Sequence, residues 1–157
     1  MKRSIASITS AATMALALPA GADEVALDDN IRVASPHSVE ETVERLTAAI
    51  EDAGATVAAE VDHAAAAESI GEDLAPMTMV MFGNPEIGTP VLQANPTAGM
   101  DLPLRVVVYE DGAGHTWLAY EDPEAMAERH VLEGVGDSIE AMAGALDSLT
   151  AAAAAED

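Results

Sequence analysis

The sequence predicts an α+β domain, a β-sheet covered by amphipathic helices, and three observations carry that prediction. The stretch 77–120 reads as strands punctuated by turns: an apolar run at 77–82, a loop rich in Gly, Pro and Asn, a second run at 102–110, the turn Asp111-Gly112-Ala113-Gly114, and a return over 115–120. Val39, Val43, Leu46 and Ile50 recur at spacings of four, three and four, which puts them on one helical face. Ile139, Met142, Leu146 and Leu149 repeat that pattern near the end of the chain. With no internal repeat and no long linker, a chain of 157 residues is expected to hold one domain, at 31–153.

In chain order, 31–34 is expected as a short strand, and Pro36 bars helix before Ser38. Ser38 and Glu41 form a capping box that opens a helix over 39–53, with Gly54 as its stop. A strand over 55–61 runs into Asp62-His63. Asp62 is the expected N-cap of a short helix over 64–70, stopped by Gly71. After the 77–82 strand, 83–88 is expected as loop. Thr89 and Pro90 are then the cap and first residue of a short helix that Asn95-Pro96 ends. Leu104, Val106 and Val108 face one way and Arg105, Val107 and Tyr109 the other. Asp122-Pro123 caps a helix to about Leu132, Gly134 and Gly136 break it, and Asp137 with Glu140 caps the last helix. The alanines before Glu156 are expected to fray.

Residues 1–22 read as a secretory signal peptide. Lys2-Arg3 is the positive start, a soft apolar stretch follows, and Ala20-Gly21-Ala22 fits the small-x-small cleavage rule. The apolar stretch is too short and too polar to span a bilayer stably. An acidic segment, 23–30, is expected to be loose. The location that follows is periplasmic or secreted, with no membrane insertion after cleavage.

Charge excludes several functions. The whole chain carries 28 acids against six Lys and Arg, a net of −22; past residue 22 only four arginines remain, a net of −24. Such a surface repels phosphate backbones and anionic lipid, which excludes nucleic acid as a partner. Its self-repulsion is expected to need screening by salt, whose Debye length falls from about 10 Å at 0.1 M to about 3 Å at 1 M. The absence of cysteine excludes disulfides, thiolate metal sites and thiol nucleophiles.

Several segments together, Thr42-x-x-Arg45-Leu46, Asp62-His63-Ala64, Phe82-Gly83-Asn84-Pro85, Gly88-Thr89-Pro90, Asp101-Leu102-Pro103-Leu104 and Glu110-Asp111, resemble the domain-of-unknown-function-302 family over about 31–149. The resemblance implies a curved antiparallel sheet of about five strands with helices packed mainly on one face. It also implies a homodimer, and it brings no established activity.

The candidate ligand-binding residues are Asp62, His63, Phe82, Gly83 and Asn84, with a pocket expected where the Asp62-His63 turn meets the 82–85 loop. The first functional reading is an exported domain that binds a small-molecule ligand, pairs as a homodimer, or does both. The alternatives are an enzyme acting on a small apolar or oxidised compound with His63 as acid–base, and a soft-metal or haem-handling protein. Met77, Met79 and Met81 share one strand face; thioethers there suit Cu(I), although core filling is the commoner role of such a pattern. Met126 and His130, four apart on a helix, make a weaker metal pattern, and His37 is expected to be exposed. Gly83-x4-Gly88-Thr89 echoes a phosphate loop but lacks its lysine. No catalytic constellation stands out, and no cofactor or resident metal is called for.

Overall fold

Five antiparallel strands form one open sheet in the order β1-β5-β4-β3-β2. They are β1 (Asn30–Ser35), β2 (Thr56–Asp62), β3 (Met77–Gly83), β4 (Leu104–Glu110) and β5 (Thr116–Glu121). This computed structural model describes residues 30–156. The expected signal peptide and all of the acidic segment but its last residue lie outside them. That last residue, Asn30, opens β1 opposite Glu121. The fold is thus the α+β class that the alternating runs predict.

Helix α1 (Val39–Asp52) starts where Ser38 Oγ accepts the Glu41 amide and stops at Gly54, whose φ of +76° suits a residue without Cβ. Its face of Val39, Val43, Leu46 and Ile50 is buried, as the spacing requires. Helix α5 (Gly136–Ala153) buries Ile139, Met142, Leu146 and Leu149 beside it. These two helices cover one face of the sheet. There they seal Val80 and Phe82 of β3, Val106 and Val108 of β4, and Leu118 and Tyr120 of β5 into the main core. A smaller cluster of Val91, Ala98, Met126, Ile139 and Met142 joins α5 to helices α3 (Pro85–Ala94) and α4 (Pro123–Arg129).

Several boundaries depart from the sequence reading. Helix α3 begins not at Thr89 but at Pro85. Asn84 Oδ1 accepts the Glu86 amide, Pro85 takes the first helical position, and Pro90 is carried inside. A 3-10 helix, Pro96–Met100, follows at once, with Asn95 Oδ1 accepting the Thr97 amide. The short helix after β2 is α2 (His63–Glu68), capped by Asp62 as expected. Helix α4 ends at Arg129, short of Leu132. Helix α5 has no side-chain cap, so Asp137 is a first-turn residue. The alanine tail does not fray where expected: Ala153 is fully buried, and His37 Nε2 and an Arg45 nitrogen each reach Ala155 O at 2.8 Å. His37 is accordingly held on the body, with its ring 11% exposed and 3.1 Å from Glu41.

Candidate functional site

Two hollows open on either side of Leu104, which lines both. The larger, about 710 Å³, lies at the end of the sheet where β2 starts and β3 finishes. Its walls are Phe82, Gly83 and Asn84 from β3 and the cap of α3, Ile87 and Leu92 from α3, Leu102 and Pro103 from the segment before β4, and Met142 and Leu149 from α5. None of its lining residues is charged, in a chain where 22% of residues are. Thr56, Asn84 and Thr89 are its polar side chains. The Asn84 carboxamide oxygen is occupied by the Glu86 amide, so the cap that starts α3 also orients this side chain. A cavity of this volume falls within the 300–1,000 Å³ typical of small-molecule sites.

The smaller hollow, about 300 Å³, sits in a fork between β4 and β5. The two strands pair from Val107–Ala119 to Glu110–Thr116, whereas Leu104, Arg105, Tyr120 and Glu121 diverge beyond that ladder. Charges cluster there. Asp101, just before β4, receives His130 Nε2 at 2.6 Å, Arg129 at 2.7 Å and Arg105 at 3.0 Å. Arg129 also binds Glu121. His130 is buried, and its Nδ1 lies 2.8 Å from Thr97 Oγ1. Asn95 Nδ2 holds the His130 carbonyl at 2.8 Å, and Thr97 Oγ1 donates to Asn95 Oδ1 at 2.9 Å. Burial works against the charge on Asp101, but the hydrogen bond from His130 and the positive charges of Arg129, His130 and Arg105 outweigh it and hold the carboxyl below its ordinary range.

Thr97, His130 and Asp101 superficially line up as hydroxyl, imidazole and carboxylate. The Thr97 hydroxyl is not dedicated to the ring: its one hydrogen is shared between Asn95 Oδ1 at 2.9 Å and His130 Nδ1 at 2.8 Å. With its second nitrogen on Asp101, His130 also has no free nitrogen for a metal, which removes the Met126–His130 ligand pattern. Val131, next in the chain and 76% exposed, has a φ of +50°, which strains a β-branched residue. The His130 anchor fixes the chain on one side of that strain, and the Leu132 amide bonding to Ala127 O fixes it on the other.

The structure divides the five residues expected to share a pocket. Phe82, Gly83 and Asn84 line the larger cavity. Asp62 and His63 do not. Asp62 pairs with Thr78 and Gly83 with Thr56, so the two groups occupy opposite ends of the β2–β3 ladder, roughly 17 Å apart by strand rise. Antiparallel pairing over the full strand length forces this separation. Asp62 Oδ1 is taken by the Ala65 amide at 2.9 Å, and half-buried His63 opens α2 beside it. The methionines are also placed differently from the core role. Met77, Met79 and Met81 point to the face opposite Val80 and Phe82, outside both core clusters.

Sequence reasoning missed the Asp101–His130–Arg129–Glu121 network. Asp101 does stand in the Asp-Leu-Pro-Leu segment, and His130 stands one turn after Met126, but nothing local links positions 29 residues apart. Sequence reasoning likewise gave no sign of the Tyr120 hydroxyl donating to Asp147 at 2.6 Å, where burial first and then the Asp147 carboxylate push the phenol up to about 12.

A family model described as a domain of unknown function, DUF302, matches residues 31–149. Among curated relatives, the fluoride-specific ion channel FluC 1 of Brucella suis biovar 1 (strain 1330) is 41% identical over 127 residues, which is 80% of this chain and 50% of that protein. The fluoride-specific ion channel FluC 2 of Brucella melitensis biotype 1 is likewise 41% identical over 127 residues, 47% of its own length. The chain therefore spans about half the length of these relatives. An uncharacterised conserved DUF302 protein from Bacillus stearothermophilus has a crystal structure that matches 77% of this chain and 94% of its own, with a TM-score of 0.70 at 22% identity. That likeness shows a common fold.

Proposed function

The chain belongs to the DUF302 family, and we propose that it is an exported domain that binds a small neutral apolar molecule in the cavity between Phe82, α3 and α5, and that it also self-associates. The uncharged lining carries the binding half of this reading. A large negative net charge makes a charge-free wall of this extent improbable by chance, and apolar walls gain by exchanging loosely held water for an apolar ligand. The polar groups at Thr56, Asn84 and Thr89 would orient a hydroxyl or carbonyl on an otherwise apolar body.

Binding of a fluorescent neutral alcohol or ketone with a long alkyl chain is the direct test. Saturable one-to-one binding, competed by an unlabelled neutral alkyl alcohol, is expected. Equal affinity for the alkyl carboxylate, or no saturable binding, would overturn the reading. The enzymatic alternative with His63 as acid–base loses its geometric basis, because His63 stands at the far end of the ladder from this cavity.

A second reading rests on the Brucella relatives, each matched over about half of its length. There the domain would be an accessory to a fluoride channel. Among the described residues of this chain, no helix is long and apolar enough to cross a membrane. Loss of fluoride tolerance on deleting the protein supports this reading, and unchanged tolerance removes it.

A further inference from the structure

Along β3, side chains alternate between two faces of the sheet. Val80 and Phe82 are sealed in the main core, whereas Met77, Met79 and Met81 stand half-buried on the opposite side. A thioether inside a core is filler, but these three are reached by solvent.

The strand register brings a fourth soft group to one end of that row. β2 pairs with β3 through Val61–Met79 and Asp62–Thr78, so the next residue, His63, falls across from Met77. Helix α2, which His63 opens, lies against β3. Opposed residues of an antiparallel ladder have Cβ atoms about 5 Å apart, and Met79 follows Met77 on the same face at roughly 7 Å. Methionine is unbranched and turns about three bonds, so both sulfurs can swing towards the imidazole. Met81 stands roughly 14 Å along the strand from Met77, beyond that reach.

His63 also differs from the other histidines. His37 reaches Ala155 O and pairs with Glu41, His115 pairs with Asp111, and His130 is held between Thr97 and Asp101. Among the described residues, the half-buried ring of His63 has no hydrogen-bond partner. A neutral imidazole in that state has a lone pair available to a metal.

We propose that His63, Met77 and Met79 form a Cu(I) site at the β2 edge of the sheet. One imidazole and two thioethers are uncharged, soft donors, the kind that selects Cu(I) over harder ions. Divalent ions that prefer carboxylates find no alternative set: among the described residues, no group of three or more His, Asp and Glu is placed to hold a metal. The net charge of −22 favours the approach of any cation, and the donor set then chooses which one stays. The site is independent of the cavity ligand, because the cavity lies at the other end of the β2–β3 ladder.

Anaerobic titration of the full chain with Cu(I), in competition with a chromogenic Cu(I) chelator, tests the site. One equivalent is expected to move from the chelator to the protein. His63→Ala, or Met77→Leu together with Met79→Leu, should each weaken binding by about tenfold or more. Met81→Leu and Met100→Leu, the latter in the 3-10 helix and 77% exposed, should leave it unchanged. Ag(I), a soft monovalent probe that needs no reductant, should shift the 13C-labelled methyl signals of Met77 and Met79 and leave those of Met81 and Met100 in place. If a variant loses its near-ultraviolet circular dichroism, the methyl shifts of the unaltered chain decide alone. No transfer from the chelator, binding indifferent to His63→Ala and to the double methionine change, an equal loss on Met81→Leu, or displacement of Cu(I) by equimolar Zn(II) would overturn the proposal. None of these outcomes bears on ligand binding in the cavity, so the two readings fail separately.

Discussion

The two hollows beside Leu104 differ in what they leave unfinished. In the β4–β5 fork, Asp101 binds His130, Arg129 and Arg105, Glu121 takes Arg129, and both His130 nitrogens are engaged. The fork is a clamp that ties the 3-10 helix, the end of α4 and the strand ends together. The Phe82 cavity has the reverse character: it is wide and apolar, with no charge to satisfy. Satisfied charge in a small space stabilises a fold, whereas unfilled apolar volume invites a ligand.

Removing a member of the clamp should have the largest effect. Asp101→Asn leaves buried His130 facing a neutral partner and two guanidinium groups without their shared carboxylate. Breaking a fully buried ion pair costs about 3–5 kcal/mol, and the partial exposure of Arg105 and Arg129 lowers the expectation to about 2–3 kcal/mol in chemical denaturation. A loss under about 0.5 kcal/mol would mean that the clamp does not hold the fold.

Ile87→Lys tests the other hollow. A charge in its wall should weaken binding of a neutral alkyl probe by about tenfold or more while the melting temperature changes little, since Ile87 is only half-buried. Matching losses of binding and stability would blur the distinction between clamp and cavity.

Acid provides a third separation. Asp111 Oδ1 accepts the Ala113 and His115 amides at 2.9 Å each, and Oδ2 accepts Trp117 Nε1 at 2.9 Å. The His115 amide foremost, then the indole, lower the carboxyl from 3.8 to about 2. A folded-state value below the unfolded one gives stability that is complete above pH 3.8 and lost as pH falls towards about 2. Fluorescence of Trp117, the single tryptophan, should report the hairpin's release in that window, and Asp111→Asn should abolish the transition.

The smallest effect is expected at the position first singled out. His63→Ala should change stability by no more than about 0.5 kcal/mol and leave probe affinity in the cavity unaltered. A tenfold loss of affinity would connect the two ends of the β2–β3 ladder against the geometry.

Much of the fold was legible because its signals are local. The spacing of Val39, Val43, Leu46 and Ile50 and the caps at Ser38, Asp62 and Asp122 depend on a few neighbouring residues, and they appear where the sequence places them. The start of α3 was misread because Asn84-Pro85 and Thr89-Pro90 are equally good openings. Ile87, in the turn that the earlier start adds, packs against the smaller core. The candidate site was half legible: Phe82, Gly83 and Asn84 line a cavity, but the register of β2 against β3 carries Asp62 and His63 away from it.

By itself, then, the sequence determined the strands, the helices, their buried faces and the polyanionic surface, because each follows from period, capping chemistry or a sum over residues. Tertiary structure alone decided which residues meet across long separations. It joined Asp101 to His130, left a charge-free hollow beside Phe82, and turned the methionine stripe of β3 away from the helices. Those outcomes depend on strand register and on which face the helices cover, and no short stretch of sequence encodes either.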